Sequence, residues 1–324
     1  MSSDNSTQAL APKQRQAWLD IARGLALFPM ASYHFMWDLA DFGYLAADFP
    51  TSGWPKIYAR AIASTFLFLA GYSLYLAHGQ GFRAKSFFRR LGVIGLAAGA
   101  VSLGTYLWMP GGFIYFGILH AMATASIIGL AFLRAPVLLT LVAAVAAFAA
   151  PHVIPLGGVF NEPWLWWLGL ADQNRPSFDF VPMLPWLAPF LTGLAVSKFV
   201  GARLPAPANK LGITAQNRWK IIVATIGRHS LVFYLLHQPV LIAILYGVSF
   251  VAPPPVVDPS EAYIQNCRPS CERNQTPGFC QSFCDCTLES LSKTDLLASF
   301  QSGAISVSDD RIKDIAFQCS IRSE

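Results

Sequence analysis

Charge is scarce in this chain. Only 13% of its 324 residues are Asp, Glu, Lys or Arg, about half the share usual in soluble domains. One large soluble globule needs more polar surface than that and is excluded. Residues 1–266 contain no cysteine, so any disulfide framework is confined to the C-terminal tail. Histidine is missing from residues 251–324, which argues against a zinc site there. There is no G-x-x-x-x-G-K-[ST] loop, no G-x-S-x-G elbow and no H-E-x-x-H pair. An ATP-driven pump, a serine-elbow hydrolase and a zinc protease therefore lack their signatures. No 20–50-residue repeat is present, and the polar first 16 residues do not read as a cleaved signal peptide, because the apolar segment after them has no small-residue cleavage pattern and holds Asp20, Arg23, His34 and Asp38.

What the chain does have is apolar length. Apolar residues make up 54% of it, and its 24 Phe, 9 Trp and 10 Tyr exclude disorder. Mean hydropathy is +0.44. A membrane-crossing helix needs roughly 20 apolar residues. Seven stretches meet or approach this, at 18–38, 57–77, 91–109, 113–133, 136–150, 182–200 and 221–249. Basic residues cluster at 78–90 (Arg83, Lys85, Arg89, Arg90) and 198–220 (Lys198, Arg203, Lys210, Arg218, Lys220). Cytoplasmic loops are rich in Lys and Arg, so an even number of crossings separates these two loops, and the fifth, Ala-rich stretch is kept. With Lys13 and Arg15 the N-terminus is expected in the cytoplasm and the tail outside.

Net charge breaks near residue 251. Residues 1–250 carry +9 and residues 251–324 carry −4. The expected organisation is a cytoplasmic segment 1–16, a transmembrane domain 17–250 and a Cys-rich extracytoplasmic tail 251–324. The fold class expected is all-α, a polytopic membrane helix bundle of about seven spans with a small disulfide-rich C-terminal domain. Trp164-Leu165-Trp166-Trp167 suits a membrane interface, and Ala252-Pro253-Pro254-Pro255 reads as a stiff linker. The tail holds Cys267, Cys271, Cys280, Cys284, Cys286 and Cys319. Outside the cytoplasm these six are expected to form three disulfides, with 15 connectivities open.

Ionisable groups inside apolar spans are costly and usually functional. The first span holds Asp20, Arg23, His34, Asp38 and Asp41. Arg23 and His34 are eleven residues apart, about three turns, and so share one face roughly 16 Å apart. Asp20 is placed to pair with Arg23, and Asp38 to bond a ring nitrogen of His34. His120, His237 and Asp179 fall at a similar depth to His34 by helix rise. A neutral imidazole held by a carboxylate takes a proton from an attacking hydroxyl or amine, and an arginine offers a permanent charge to phosphate. Prolines 182, 185 and 189, and Pro239 after His237, mark irregular backbone of the kind that lines cavities. No metal is expected, since no ligand spacing is met.

Several segments carry a resemblance. They are Leu19-Asp20-Ile21-Ala22-Arg23-Gly24 with His34, Phe66 to Ser73, Tyr115 to His120, Asp179 to Trp186, and Gly227 to Pro239. In order and spacing, over about residues 15–250, they resemble the heparan-alpha-glucosaminide N-acetyltransferase-like family, above all its bacterial members. The resemblance implies an integral-membrane, acetyl-CoA-dependent acyltransferase. Such an enzyme moves acetyl or another acyl group from cytoplasmic acyl-CoA to a sugar of an envelope glycan or glycolipid beyond the bacterial inner membrane. It implies His34 as general base or transient acyl carrier, oriented by Asp38 or Asp41. It implies Arg23 and Arg228 as CoA-binding, and His120, Asp179, His237 and Trp186 on the acceptor side. Membrane lipid, acyl-CoA and the glycan are the expected partners, with no nucleic acid; a homo-oligomer is left open. The alternatives are a proton-coupled small-solute transporter and a non-enzymatic assembly or sensor protein that docks through its tail.

Overall fold

The computed structural model describes residues 17–46, 48–173, 176–203, 218–255, 258–272, 275–301 and 304–323. Lys13, Arg15 and Lys210, three of the cations that orient the chain above, lie outside the described residues. Among those residues there is no strand. Their α-helices, in chain order, are α1 (Ala17–Asp41), α2 (Gly53–His78), α3 (Ala84–Trp108), α4 (Ile118–Phe132), α5 (Val137–Val153), α6 (Met183–Arg203), α7 (Arg218–Arg228), α8 (Ser230–Ser249), α9 (Pro259–Cys271), α10 (Pro277–Lys293), α11 (Leu297–Gln301) and α12 (Asp310–Ser323).

Four helices are long and apolar enough to cross a membrane: α2, α3, residues Met183–Gly201 of α6, and α8. Helices α4 and α5 are apolar but span 15 and 17 residues. Helix α1 has 25 residues and carries the four charges that lower its hydropathy. All seven expected stretches are helical, with two changes. The seventh is two helices, α7 and α8, which meet at His229, whose N–H is shared between the Thr225 and Ile226 carbonyls. The fourth begins at Ile118 rather than near Phe113, so His120 sits in its first turn.

The chain forms two compact units, Met1–Met30 with Ala59–His237, and Ala31–Tyr58 with Gln238–Glu324. In the first, Leu67, Leu74, Phe190, Leu191 and Leu194 are fully or almost fully buried. Small residues set the helix spacing. A Cβ on Gly71 would lie 1.9 Å from the Phe190 carbonyl oxygen, and one on Gly193 2.1 Å from that of Phe68. Lipid is as apolar as leucine, so helices in it associate by such close packing and by polar contacts.

Lys198 is not the loop cation that the sequence suggested. It lies inside α6, 5% exposed. Its Nζ donates to the Ala135 carbonyl at 2.7 Å, to Thr140 Oγ1 at 3.1 Å and to the Phe132 carbonyl. The end of α4 leaves carbonyls without helical partners, and this ammonium satisfies them.

In the second unit the tail is a stapled helical cluster. Cys267–Cys284 and Cys271–Cys280 join α9 to α10, and Cys286–Cys319 joins α10 to α12. Cysteines four apart share a helix face, so C-x3-C on α9 meets C-x3-C on antiparallel α10, outer to outer and inner to inner. The Tyr263 hydroxyl donates to Thr287 Oγ1 at 2.9 Å, and burial raises its pKa. Beyond cysteine, the described residues of the tail that are buried are Leu291, Ile312 and Thr287. A core that small needs covalent staples. The Tyr44 hydroxyl donates to the Ala252 carbonyl, anchoring the start of the proline linker.

Candidate functional site

Helices α1 and α7 cross backbone to backbone. A Cβ on Gly24 would lie 2.2 Å from the Val223 carbonyl oxygen, and one on Gly227 1.7 Å from that of Asp20. This approach places three charges together. Asp20 is 2% exposed. Its Oδ1 lies 3.5 Å from Arg23 and its Oδ2 3.9 Å from Arg228. Arg23 also donates to Ser73 Oγ on α2 at 2.6 Å. A buried carboxylate must be paired, and among the described residues two arginines pair with it. Arg90 near the start of α3 adds its field to that of Arg23. The Arg228 side chain is half exposed. The cluster thus gathers fixed cations of the kind that phosphate recognition uses.

A second polar cluster surrounds the start of α4. Asp179 Oδ2 accepts the Ile118 N–H at 2.8 Å. The approach is open because residue 117 is glycine; a Cβ there would lie 2.3 Å from that oxygen. Burial pushes the Asp179 carboxyl up to about 6, against the Ile118 N–H and the Tyr234 hydroxyl, which favour the charged form. The Tyr234 hydroxyl donates to Asp179 Oδ2 at 3.5 Å. Trp186 packs partly buried against the neighbouring apolar core.

The hydrogen bonds assign the histidine tautomers. The Gly117 N–H donates to His120 Nδ1 at 3.2 Å, so the neutral ring carries its proton on Nε2. That atom lies 3.3 Å from Ser102 Oγ, and the Ser102 hydroxyl bonds the Ile114 carbonyl. Both nitrogens of His120 are thus engaged in holding the first turn of α4. His237 is the opposite case. Its Nδ1 lies 2.7 Å from the Tyr234 carbonyl, which only accepts. The proton is therefore on Nδ1 and the basic lone pair on Nε2. Of the expected acceptor-side residues, Asp179 and His120 meet through the first turn of α4, and Asp179 and His237 through Tyr234.

His34, Asp38 and Asp41 belong to the second unit. His34 is partly buried and Asp41, the last residue of α1, is exposed. Asp38 is buried, and the bond expected from His34 is replaced by one from Gln238 Nε2. Asp38 Oδ2 has no partner among the described residues. Gln238 escaped the sequence reading because a neutral amide carries no charge signal, although it stands between His237 and Pro239 in a quoted segment. Tyr234 and Ser73 escaped it for the same reason. No group of three metal-ligating side chains occurs among the described residues.

No curated protein and no solved structure matches the chain. The model of the heparan-alpha-glucosaminide N-acetyltransferase catalytic domain matches residues 15–239. That span contains both polar clusters of the first unit, together with His34, Asp38, Asp41 and Gln238. It covers more than half of the sequence, and the chain belongs to this membrane acetyltransferase family.

Proposed function

We propose that the chain moves an acetyl or other acyl group from cytoplasmic acyl-CoA to a sugar of an envelope glycan or glycolipid on the outer side of the bacterial inner membrane. The observation that carries this reading is the Asp20–Arg23–Arg228 cluster within the family-matched region. One buried carboxylate holds two arginines in place, and their guanidinium groups serve the phosphates of CoA. His34 acts as general base or transient acyl carrier. As base it takes the proton of the attacking acceptor as the acceptor's oxygen or nitrogen bonds the acyl carbon. The carbon–sulfur bond breaks and CoA leaves as its thiol, with the proton that His34 took up. Asp38 and Asp41 set the charge around the acceptor. His237, with its lone pair on Nε2, and Asp179 line the acceptor side, where His120 fixes the start of α4. Trp186 offers an aromatic wall to a sugar ring.

Purified protein incubated with acetyl-labelled CoA and a bacterial envelope extract tests this. Label appearing in a glycan fraction supports it. In reconstituted vesicles, solute uptake that needs no CoA would instead favour a proton-coupled transporter.

A further inference from the structure

A groove of about 770 Å³ in the first unit has no part in the chemistry above. Its volume is in the range of small-ligand sites, about 300–1,000 Å³. Ala188, Pro189 and Thr192 of α6 line one side of it, and Leu141, Val145 and Phe148 of α5 another. The α5 residues stand at i, i+4 and i+7 and so share one helix face. Ala188 is 7% exposed, whereas Val145 and Phe148 are 67% and 61% exposed. The groove is therefore closed at α6 and open past α5.

Depth and wall chemistry define what fits. On α2 the lining residues fall between Ser64 and Leu69, at least nine residues from either end of that helix. That is about 13 Å at 1.5 Å per residue. Helix α2 is long and apolar enough to cross a membrane, so the groove lies within the hydrocarbon layer, about 30 Å thick. Among the described residues no charged side chain lines it. The Thr65 and Thr192 hydroxyls donate to the Ala61 and Ala188 carbonyls of their own helices, each at 2.8 Å. A sugar ring or a phosphate needs more donors and charges than this wall offers. A hydrocarbon chain needs none.

The α6 end of the groove selects the head group. Trp186 precedes Pro189 by three residues, one turn of α6, and Asp179 lies just before that helix. A carboxylate accepts from sugar hydroxyls and repels phosphate. A sugar is thus the better fit beside the groove, and a phospholipid head group the poorer one.

We propose that this groove holds a hydrocarbon chain of the acceptor, which makes the acceptor a membrane glycolipid rather than a free glycan. The acceptor part of this statement rests on the acyltransferase reading; the chain part rests on the groove. The sugar stands by Trp186 and Asp179 while the chain lies against Val145 and Thr192.

The test is photo-crosslinking to the full-length protein in phosphatidylcholine nanodiscs. Two probes carry a diazirine in the same acyl chain: a monohexosyl diacylglycerol and a phosphatidylglycerol. The hexosyl lipid is expected to label the lining segments of α2, α5 and α6 at least about tenfold more than the phosphatidylglycerol. Equal labelling by the two probes would mean bilayer lipid only and overturns the proposal; this arm needs no variant to fold. Val145→Trp fills the open side of the groove from an exposed position. It should remove most of the hexosyl labelling while CoA affinity stays within about twofold. A Val145→Trp protein that keeps both CoA affinity and full labelling also overturns the proposal. Acetyl transfer from labelled acetyl-CoA to an envelope extract is measured in parallel, with lipid-extractable and water-soluble glycans separated. Label in the lipid fraction supports the glycolipid acceptor, and label confined to the water-soluble fraction overturns it. Selective labelling by the hexosyl lipid without transfer to either fraction supports the chain site and counts against the acyltransferase reading.

Discussion

Gly71 and Gly193 let α2 and α6 touch backbone to backbone, whereas α9 and α10 are tied by Cys267–Cys284 and Cys271–Cys280. The two regions solve the same problem under different conditions. Helices in lipid gain little by hiding leucine from leucine-like solvent, so contact distance and a few paired polar groups decide their association. The tail is short and polar and buries few apolar side chains, so crosslinks limit its unfolded state instead. Charges follow the same division. In the first unit Asp20 and Lys198 are buried and fully engaged. In the tail Lys293–Glu289 and Lys313–Asp310 lie on exposed surface.

Reducing agent should break this comparison most visibly. The tail is expected to lose its protection from proteases and from hydrogen exchange, while the helices of residues 59–237 keep theirs. Removal of a native disulfide from a small domain typically costs about 2–5 kcal/mol, and the tail has three. A tail that stays protected after full reduction would show that its apolar core suffices.

Gly227→Leu comes next. Its side chain has no room beside the Asp20 carbonyl, and overpacking of this kind costs about 1–3 kcal/mol or more. It should part α1 from α7, lower the melting temperature and weaken CoA binding at least about tenfold, because Arg228 leaves Asp20. Unchanged CoA affinity would separate this crossing from donor binding.

Asp179→Asn is a smaller effect with a defined sign. The folded-state carboxyl takes up its proton near pH 6, above the usual carboxylate value of 3.8. Its stabilising contribution is therefore complete below pH 3.8 and is lost as pH rises through 6. Relative to the Asn variant, the unaltered protein should lose a few degrees of melting temperature between pH 4 and 7. A pH-independent difference would mean that the group titrates normally. Lys293→Ala marks the floor of the series. Its partner Glu289 is exposed, and such pairs contribute little; a shift under about one degree is expected in thermal unfolding.

Hydropathy made most of the helices legible, since α1, α2 and α6 begin and end within a few residues of the apolar runs. It could not see the division at His229, which lies between apolar segments where one N–H is shared between two carbonyls. Nor could it see that α4 starts at Ile118, a boundary fixed by a carboxylate 61 residues away in sequence. In the site, Asp20 with Arg23 was readable from an i, i+3 spacing on one helix. The bond from Gln238 to Asp38 was not, because it depends on two helices distant in sequence presenting an amide to a carboxyl. Lys198 shows the converse error. Its position next to a basic loop implied exposure, while its ammonium fills the corner between α4 and α5.

In the proposed transfer His34 handles the acceptor's proton or the acyl group. The most direct measurement is acetyl transfer from labelled acetyl-CoA to an envelope glycan by the purified protein and its His34→Ala variant, with CoA affinity determined on both. Transfer should fall by about 10²–10⁴-fold while CoA affinity stays within about twofold. A His34→Ala protein that transfers acetyl at the full rate would contradict the account.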